Sequence, residues 1–195
     1  MLIRKIFLLL GLFFLTTGVA RADWLLDGEK SGLSYGSIKK NAIGENNNFR
    51  DFEGKITDKG DITLVIDLSS VETWVDIRND RIKEYLFQIA DFPVATLRGQ
   101  VAMEKFKDLK VGGQMFFDTS FDLDLHGQMQ TLDAELIILR LSEKTIVVIP
   151  SEFIFLDAEK FNLLTGLKTL QDLAKLPSIS SAVPITFHLT FHQTP

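Results

Sequence analysis

Residues 115–129 read MFFDTSFDLDLHGQM, a long alternation of apolar and polar positions. Met115, Phe117, Phe121, Leu123 and Leu125, with Thr119 among them, fall on one face of an extended chain. Asp118, Ser120, Asp122 and Asp124 fall on the other. This is the period of two expected of a half-buried strand. Such a strand exceeds the usual length of about five or six residues, and long antiparallel strands with one wet face belong to barrels and sandwiches. His126-Gly127-Gln128 predicts a turn, after which residues 131–141 return through Leu136, Ile137, Ile138 and Leu139.

The same reading extends over the rest of the chain. Residues 24–38 are strand-like, and the asparagine-rich residues 39–48 predict a loop. Residues 49–57 and 61–68 predict a hairpin joined by Asp58-Lys59-Gly60, with Ile62, Leu64, Ile66 and Leu68 on one face of its second strand. Further strands are expected over residues 94–103, 145–149, 152–156 and 183–192, the last with Ile185, Phe187, Leu189 and Phe191 on one face. Two stretches change period. Ile82, Tyr85, Leu86 and Ile89 are spaced as one helical face, with Asn79 placed as its N-cap. Leu163, Leu164, Leu167, Leu170 and Ala174 form a second helical stripe that Pro177 stops. About eight strands with one or two short helices predict an all-β fold, a single antiparallel barrel or sandwich. An eight-stranded closed sheet encloses either packed side chains or one small elongated ligand.

The first residues change the expected compartment. Arg4 and Lys5 precede an apolar run over residues 6–15, and Ala20 and Ala22 precede a cut, the pattern of a secretory signal peptide over residues 1–22. The run is short for a membrane span of about 20 apolar residues. Cleavage leaves residues 23–195 as one domain, expected to be soluble and periplasmic or secreted, with no permanent membrane span. The net charge of −5 falls to −8 once the three basic residues of the leader are removed. A nucleic-acid partner and a mainly electrostatic attachment to anionic lipid are thereby disfavoured. With no cysteine, disulfides, thiol catalysis and thiolate metal sites are excluded.

Several motifs invite sharper chemistry and do not sustain it. Gly32-Leu33-Ser34-Tyr35-Gly36 matches G-x-S-x-G, but the nucleophile elbow needs a buried strand before it and a helix after it. Polar residues 27–31 precede this match and Lys39-Lys40-Asn41 follows it. His188 and His192 lie on a predicted strand, where four residues separate them by roughly 13 Å, too far to share a metal. Asp118, Asp122 and Asp124 lack the glycine and glutamate of a calcium loop. No metal and no catalytic residue is expected.

A series of short pieces runs along the chain: Leu33-Ser34-Tyr35, then Phe49, Phe52 and Gly54, then Ser70-Val71-Glu72-Thr73 with Arg78, Asp80 and Ile82. It continues through Asp91-Phe92-Pro93, Leu125-His126-Gly127, Gly166-Leu167 and Ser178-Ile179-Ser180. In the order and spacing of these pieces the chain resembles the YceI-like family, exported lipocalin-like barrels that bind polyisoprenoid lipids. The resemblance implies a lipocalin-like barrel whose apolar face forms a tunnel for an isoprenoid lipid, of polyprenyl quinone or polyprenyl diphosphate type, with no other cofactor. Ile62, Leu64, Ile66, Phe117, Phe121, Leu123, Leu136, Ile138, Phe153, Phe155, Phe187 and Leu189 are the candidate lining. Without the resemblance, the same residues read as a filled core. Arg78, Arg81, Lys39 and Lys40 are candidates for a head group, as is His126, which reads otherwise as a turn residue. The resemblance allows a homodimer, which no sequence feature requires. An enzyme on the same barrel, using Ser34, His126 or His188, and an interaction protein with a packed core are the alternatives.

Overall fold

The computed structural model describes residues 22–106 and 108–194, so the leader expected over residues 1–22 lies, but for Ala22, outside the described residues. Twelve strands are described, beginning with β1 (Trp24–Leu26), β2 (Gly32–Lys39), β3 (Ile43–Phe49), β4 (Phe52–Ile56), β5 (Asp61–Asp67) and β6 (Val71–Glu72). They continue with β7 (Val94–Gln100), β8 (Gln114–Leu125), β9 (Gln128–Ser142), β10 (Thr145–Pro150), β11 (Ile154–Asp157) and β12 (Ala182–Gln193). All pair antiparallel. β1 and β2 lie end to end along one edge of β12, and β10 and β11 lie along its other edge. β3 and β4 likewise continue one another, as do β5 and β6. Twelve segments thus make eight staves, and the ring closes because β1 pairs with both β4 and β12. The predicted antiparallel barrel of about eight strands is the observed fold.

The alternation on β8 is read in the right phase: Phe117, Phe121, Leu123 and Leu125 are buried and Asp118, Ser120 and Asp122 are exposed. Its hairpin to β9 turns on His126 and Gly127, both at positive φ (54° and 71°), the conformation that matches the twist of the flanking strands. The asparagine-rich segment is not a loop. Lys40, Asn41 and Ala42 turn, and β3 then pairs with β2 over seven residues, from Leu33 opposite Phe49 to Lys39 opposite Ile43. Its side chains are mostly polar and only Asn47 is buried, so backbone pairing rather than apolar burial makes the strand.

Two helices bridge staves at one end of the barrel. The first, α1 (Asp76–Arg81), runs on into a wider π-helical turn over Ile82–Phe87. The second, α2 (Leu164–Leu173), lies between β11 and β12. In an up-and-down barrel every second connection falls at the same end, so both helices stand beside the β2–β3 and β8–β9 turns. Asn79 is not the N-cap expected of it. The helix starts three residues earlier, after Val75, and Asn79 is buried within it. α2 presses on the first helical segment through Gly166, where a Cβ would lie 2.4 Å from the Tyr85 carbonyl oxygen and 2.8 Å from the Leu86 Cα. Leu163 is buried and Leu167 and Leu170 are partly buried, whereas Leu164 and Ala174 are exposed.

Because backbone atoms cannot yield as a side-chain tip can, Gly166→Val is expected to part the two helices and destabilise the fold by about 1–3 kcal/mol, the range for overpacking. Urea unfolding of the two proteins measures it; an unchanged midpoint would show that the close approach is not needed.

Candidate functional site

The interior is a series of apolar chambers. A far chamber of about 140 Å³ sits at the end away from the helices, floored by Met103, Phe106 and Leu109. An inner chamber of about 150 Å³ lies under the helices, against Leu86, Phe161 and Leu163. Leu64, Leu97, Leu132, Ile154 and Phe187 line both and form the constriction between them. Ten of the twelve proposed lining residues are here. Ile62, Phe117, Phe121, Leu136, Ile138 and Leu189 line the far chamber, Ile66 and Leu123 the inner one, and Leu64 and Phe187 both.

Phe153 and Phe155 are corrections. They are 64% and 63% exposed and point out of the barrel. Residues 153–156 are apolar throughout, so alternation cannot choose a phase for them. The register against β12 does: Ile154 is opposite Ile185 and Leu156 opposite Val183, and directly paired residues share a face. The constriction residues Leu97, Leu132 and Ile154 were absent from the expected lining for the complementary reason, since their inward direction is set by pairing.

A third chamber, of about 270 Å³, is the mouth between α1, α2, β2 and β3. Tyr35, Leu86, Leu167 and Val183 line both it and the inner chamber and so form the neck. Three head-group candidates meet at this mouth, Lys39 from β2 and Arg78 and Arg81 from α1. Glu45 on β3 joins two of them, 2.5 Å from the Lys39 amine and 2.7 Å from the Arg78 guanidinium. Lys40 is exposed in the turn outside the chamber. His126 is also elsewhere. Its Nε2 lies 2.9 Å from the Gln88 Oε1 and its ring packs tilted against Phe92 with centroids 4.3 Å apart, which makes it a residue of the β8–β9 turn.

Tyr35 at the neck is directly opposed, across β2 and β3, by Asn47 on the mouth side. The Tyr35 hydroxyl and the Asn47 Oδ1 are both buried without a hydrogen-bond partner. Burial pushes the Tyr35 phenol well above its ordinary pKa, against a smaller opposing effect of Arg78, so the group is a neutral donor. Unsatisfied polar atoms in an apolar passage cost free energy and mark places where a ligand can supply the partner. Glu45, Tyr35 and Asn47 escaped the sequence reading of the site because two of them lie in the segment taken for a loop.

The rim beside α1 is held by a polar clamp. Asn79 Oδ1 accepts from the Thr73 backbone N–H (2.8 Å) and hydroxyl (2.7 Å), and its amide donates to Glu72 Oε1 (3.0 Å). The same Glu72 oxygen accepts from the Trp74 backbone N–H (2.6 Å), and its other oxygen pairs with Arg50 (2.7 Å). Elsewhere the sharper motifs resolve as structural. Residues 32–36 run straight along β2, with Ser34 donating to Asn48 on the next strand (2.6 Å), so no elbow forms. His192 bridges Thr145 and Asp27, and His188 lies exposed over Gly32. Among the described residues no cluster of three or more His, Asp or Glu is placed to hold a metal ion, and no helix is long and apolar enough to cross a membrane.

Comparison with known proteins places this geometry. The YceI-like domain family matches residues 24–191. Among solved structures, a polyisoprenoid-binding domain from Saccharophagus degradans, implicated in plant cell wall breakdown, superposes with a TM-score of 0.86 at 37% identity, over 88% of this chain and 98% of that one. Burkholderia cenocepacia BcnA, with a TM-score of 0.66 at 19% identity over 85% of this chain and 98% of its own, shares the fold. No curated protein matches the chain.

The clamp makes the rim sensitive to acid. The hydrogen bond from Asn79, followed by that from the Trp74 backbone, holds the Glu72 carboxyl below its ordinary pKa, against a smaller effect of desolvation. A lowered folded-state pKa means that its stabilisation is present above the ordinary carboxylate value and is lost as the pH falls through the lowered one. Fluorescence of Trp74 followed from pH 6 down to pH 2 is expected to show this transition in the wild type and to lack it in Glu72→Gln; identical curves would remove Glu72 from the clamp.

Proposed function

The chain belongs to the YceI-like family, and from that membership and the form of its interior we propose that it holds a long polyisoprenoid lipid for carriage, storage or sequestration, without chemistry. The observation that carries this reading is an apolar route of two chambers that opens through one polar neck, where a hydroxyl and the amide oxygen opposed to it on the mouth side have no partner. Most known small-molecule sites share that composition, an apolar wall with a few placed polar groups. The prenyl chain occupies the chambers and the head group rests at the neck. The leader-like first residues support an exported protein, periplasmic or secreted.

Magnitudes support a binding mode led by the chain. At roughly 0.8 kcal/mol per buried CH₂, about fifteen carbons yield on the order of 12 kcal/mol, within the association cost of about 4–15 kcal/mol. Longer chains exceed that cost without a strong polar anchor. The head group then decides identity more than affinity. Lys39 and Arg78 already share Glu45, so a diphosphate has to compete with a carboxylate for them. A quinone oxygen can instead accept from the unpartnered Tyr35 hydroxyl, and a quinol hydroxyl can also donate to the unpartnered Asn47 Oδ1. The neck therefore favours the polyprenyl quinone type over the diphosphate.

Native mass spectrometry of protein purified from the periplasm without detergent, with solvent extraction of the bound material, tests the reading. A discrete added mass that extracts as a polyisoprenoid is expected. A bare protein that also refuses added prenyl quinone and prenyl diphosphate would leave a filled core. Leu97→Trp, placed at the constriction, is expected to lower affinity for a long prenyl chain at least tenfold while sparing a short one, at a stability cost of about 1–3 kcal/mol. Equal loss for both lengths would mean that the two chambers do not act in series.

A further inference from the structure

Trp74 combines three properties that do not ordinarily coincide. It is 72% exposed, more than any other large apolar side chain described. Its φ is +63°, the left-handed region that bulky L residues avoid. Its backbone is nevertheless pinned by the clamp of Glu72, Thr73 and Asn79, of which Thr73 and Asn79 are buried. Strain that a buried network sustains is a mark of function, here the outward presentation of an indole. The apolar surface does not stop at Trp74. Val75 (38% exposed) and Ile77 (57% exposed) follow it and also line the mouth, so apolar surface runs from the lip to the neck.

We propose that this lip, Trp74 with Val75 and Ile77, docks on a lipid bilayer and brings the mouth against the membrane surface. The inference rests on the reading of the chambers as a prenyl-lipid site. A lipid that leaves a bilayer for these chambers would otherwise expose its chain to water, and an apolar lip continuous with the mouth removes that step. Indole rings belong at the level of the lipid head groups, with basic side chains beside them. The Arg50 guanidinium stands 5.7 Å from the Trp74 ring, and Arg78 and Arg81 flank the mouth. Arg50 and Arg78 already have carboxylate partners, so the attachment is led by apolar insertion and takes zwitterionic lipid. Three side chains are too few for the roughly 800 Å² per partner that a stable interface between two copies of the chain buries.

The protein carries two tryptophans, and Trp24 is buried in the far chamber, so the wild type has one indole for the membrane and one internal control. With phosphatidylcholine vesicles, a blue shift and quenching by brominated acyl chains are expected for the wild type and are expected to vanish in Trp74→Gly. Glycine accepts the left-handed backbone, so this variant folds, which a urea midpoint equal to or above the wild type verifies. Its uptake of a prenyl quinone from vesicles is expected to slow at least tenfold, while uptake from detergent micelles stays at the wild-type level. Wild-type emission indifferent to vesicles, or equal transfer rates, overturns the lip. So does a doubled mass with a lipid-independent blue shift, which would assign it to a second copy. Quenching at Trp74 in a protein that binds no prenyl lipid would support the lip and overturn the cargo. Uptake from micelles with no quenching would overturn the lip alone.

Discussion

The pairing of β12 on both of its edges is the constraint on which the rest depends. Its C-terminal half meets β10 and β1, and its N-terminal half meets β11 and β2. A barrel has no free edge only if this last strand finds the first. The neighbouring stave that it closes on is broken between β1 and β2, and the break is satisfied locally. Thr190 on β12, itself buried, donates its backbone N–H to the Ser31 hydroxyl (2.9 Å) and its own hydroxyl to the Lys30 carbonyl (2.7 Å), while the Asp27 N–H reaches the Thr190 carbonyl (2.8 Å). Closure therefore survives an interruption without an orphaned backbone group at this point.

The two ends of the closed barrel are built differently. At the far end Phe106 packs on Phe117 at 5.3 Å, and the Arg140 guanidinium is spent on the carbonyls of Leu109, Ser142 and Glu143. Those contacts hold the floor residues against the barrel wall. At the other end the staves carry Glu45, Asn47 and Lys39 instead of apolar residues, and two short helical segments, packed on each other at Gly166, border the opening. Most of the polar lining thus gathers at the mouth and the chambers behind it are nearly all apolar, an arrangement suited to a molecule with an apolar tail and a polar head.

The same division explains why strength and specificity separate in this site. Tail burial scales with length and asks only for space, so many side chains share it and none is decisive. The neck is the reverse: one hydroxyl and one amide oxygen, opposed across two strands, meet whatever the head group presents. The Trp74 clamp adds a third kind of element, a stretch of strained backbone held by buried hydrogen bonds on the outer rim.

The sequence by itself determined the fold class and most of the interior. Alternation on β8 and β12 has one reading, because their two faces differ in polarity, and ten of the twelve proposed lining residues do line the chambers. Where both faces are apolar, as at Phe153 and Phe155, or both polar, as along β3, periodicity carries no phase. Only pairing with a neighbour far away in the chain set the direction there. Asn79 looked like a cap from its local context, but its partner Thr73 reaches it through a turn that only the folded rim creates. Lys39, Arg78 and Arg81 were legible as cations near loops, and His126 and Lys40 looked no different from them. Tertiary structure alone gathered three at the mouth and left two outside, and it alone set Tyr35 at the neck opposite Asn47, since that opposition is a matter of register between strands.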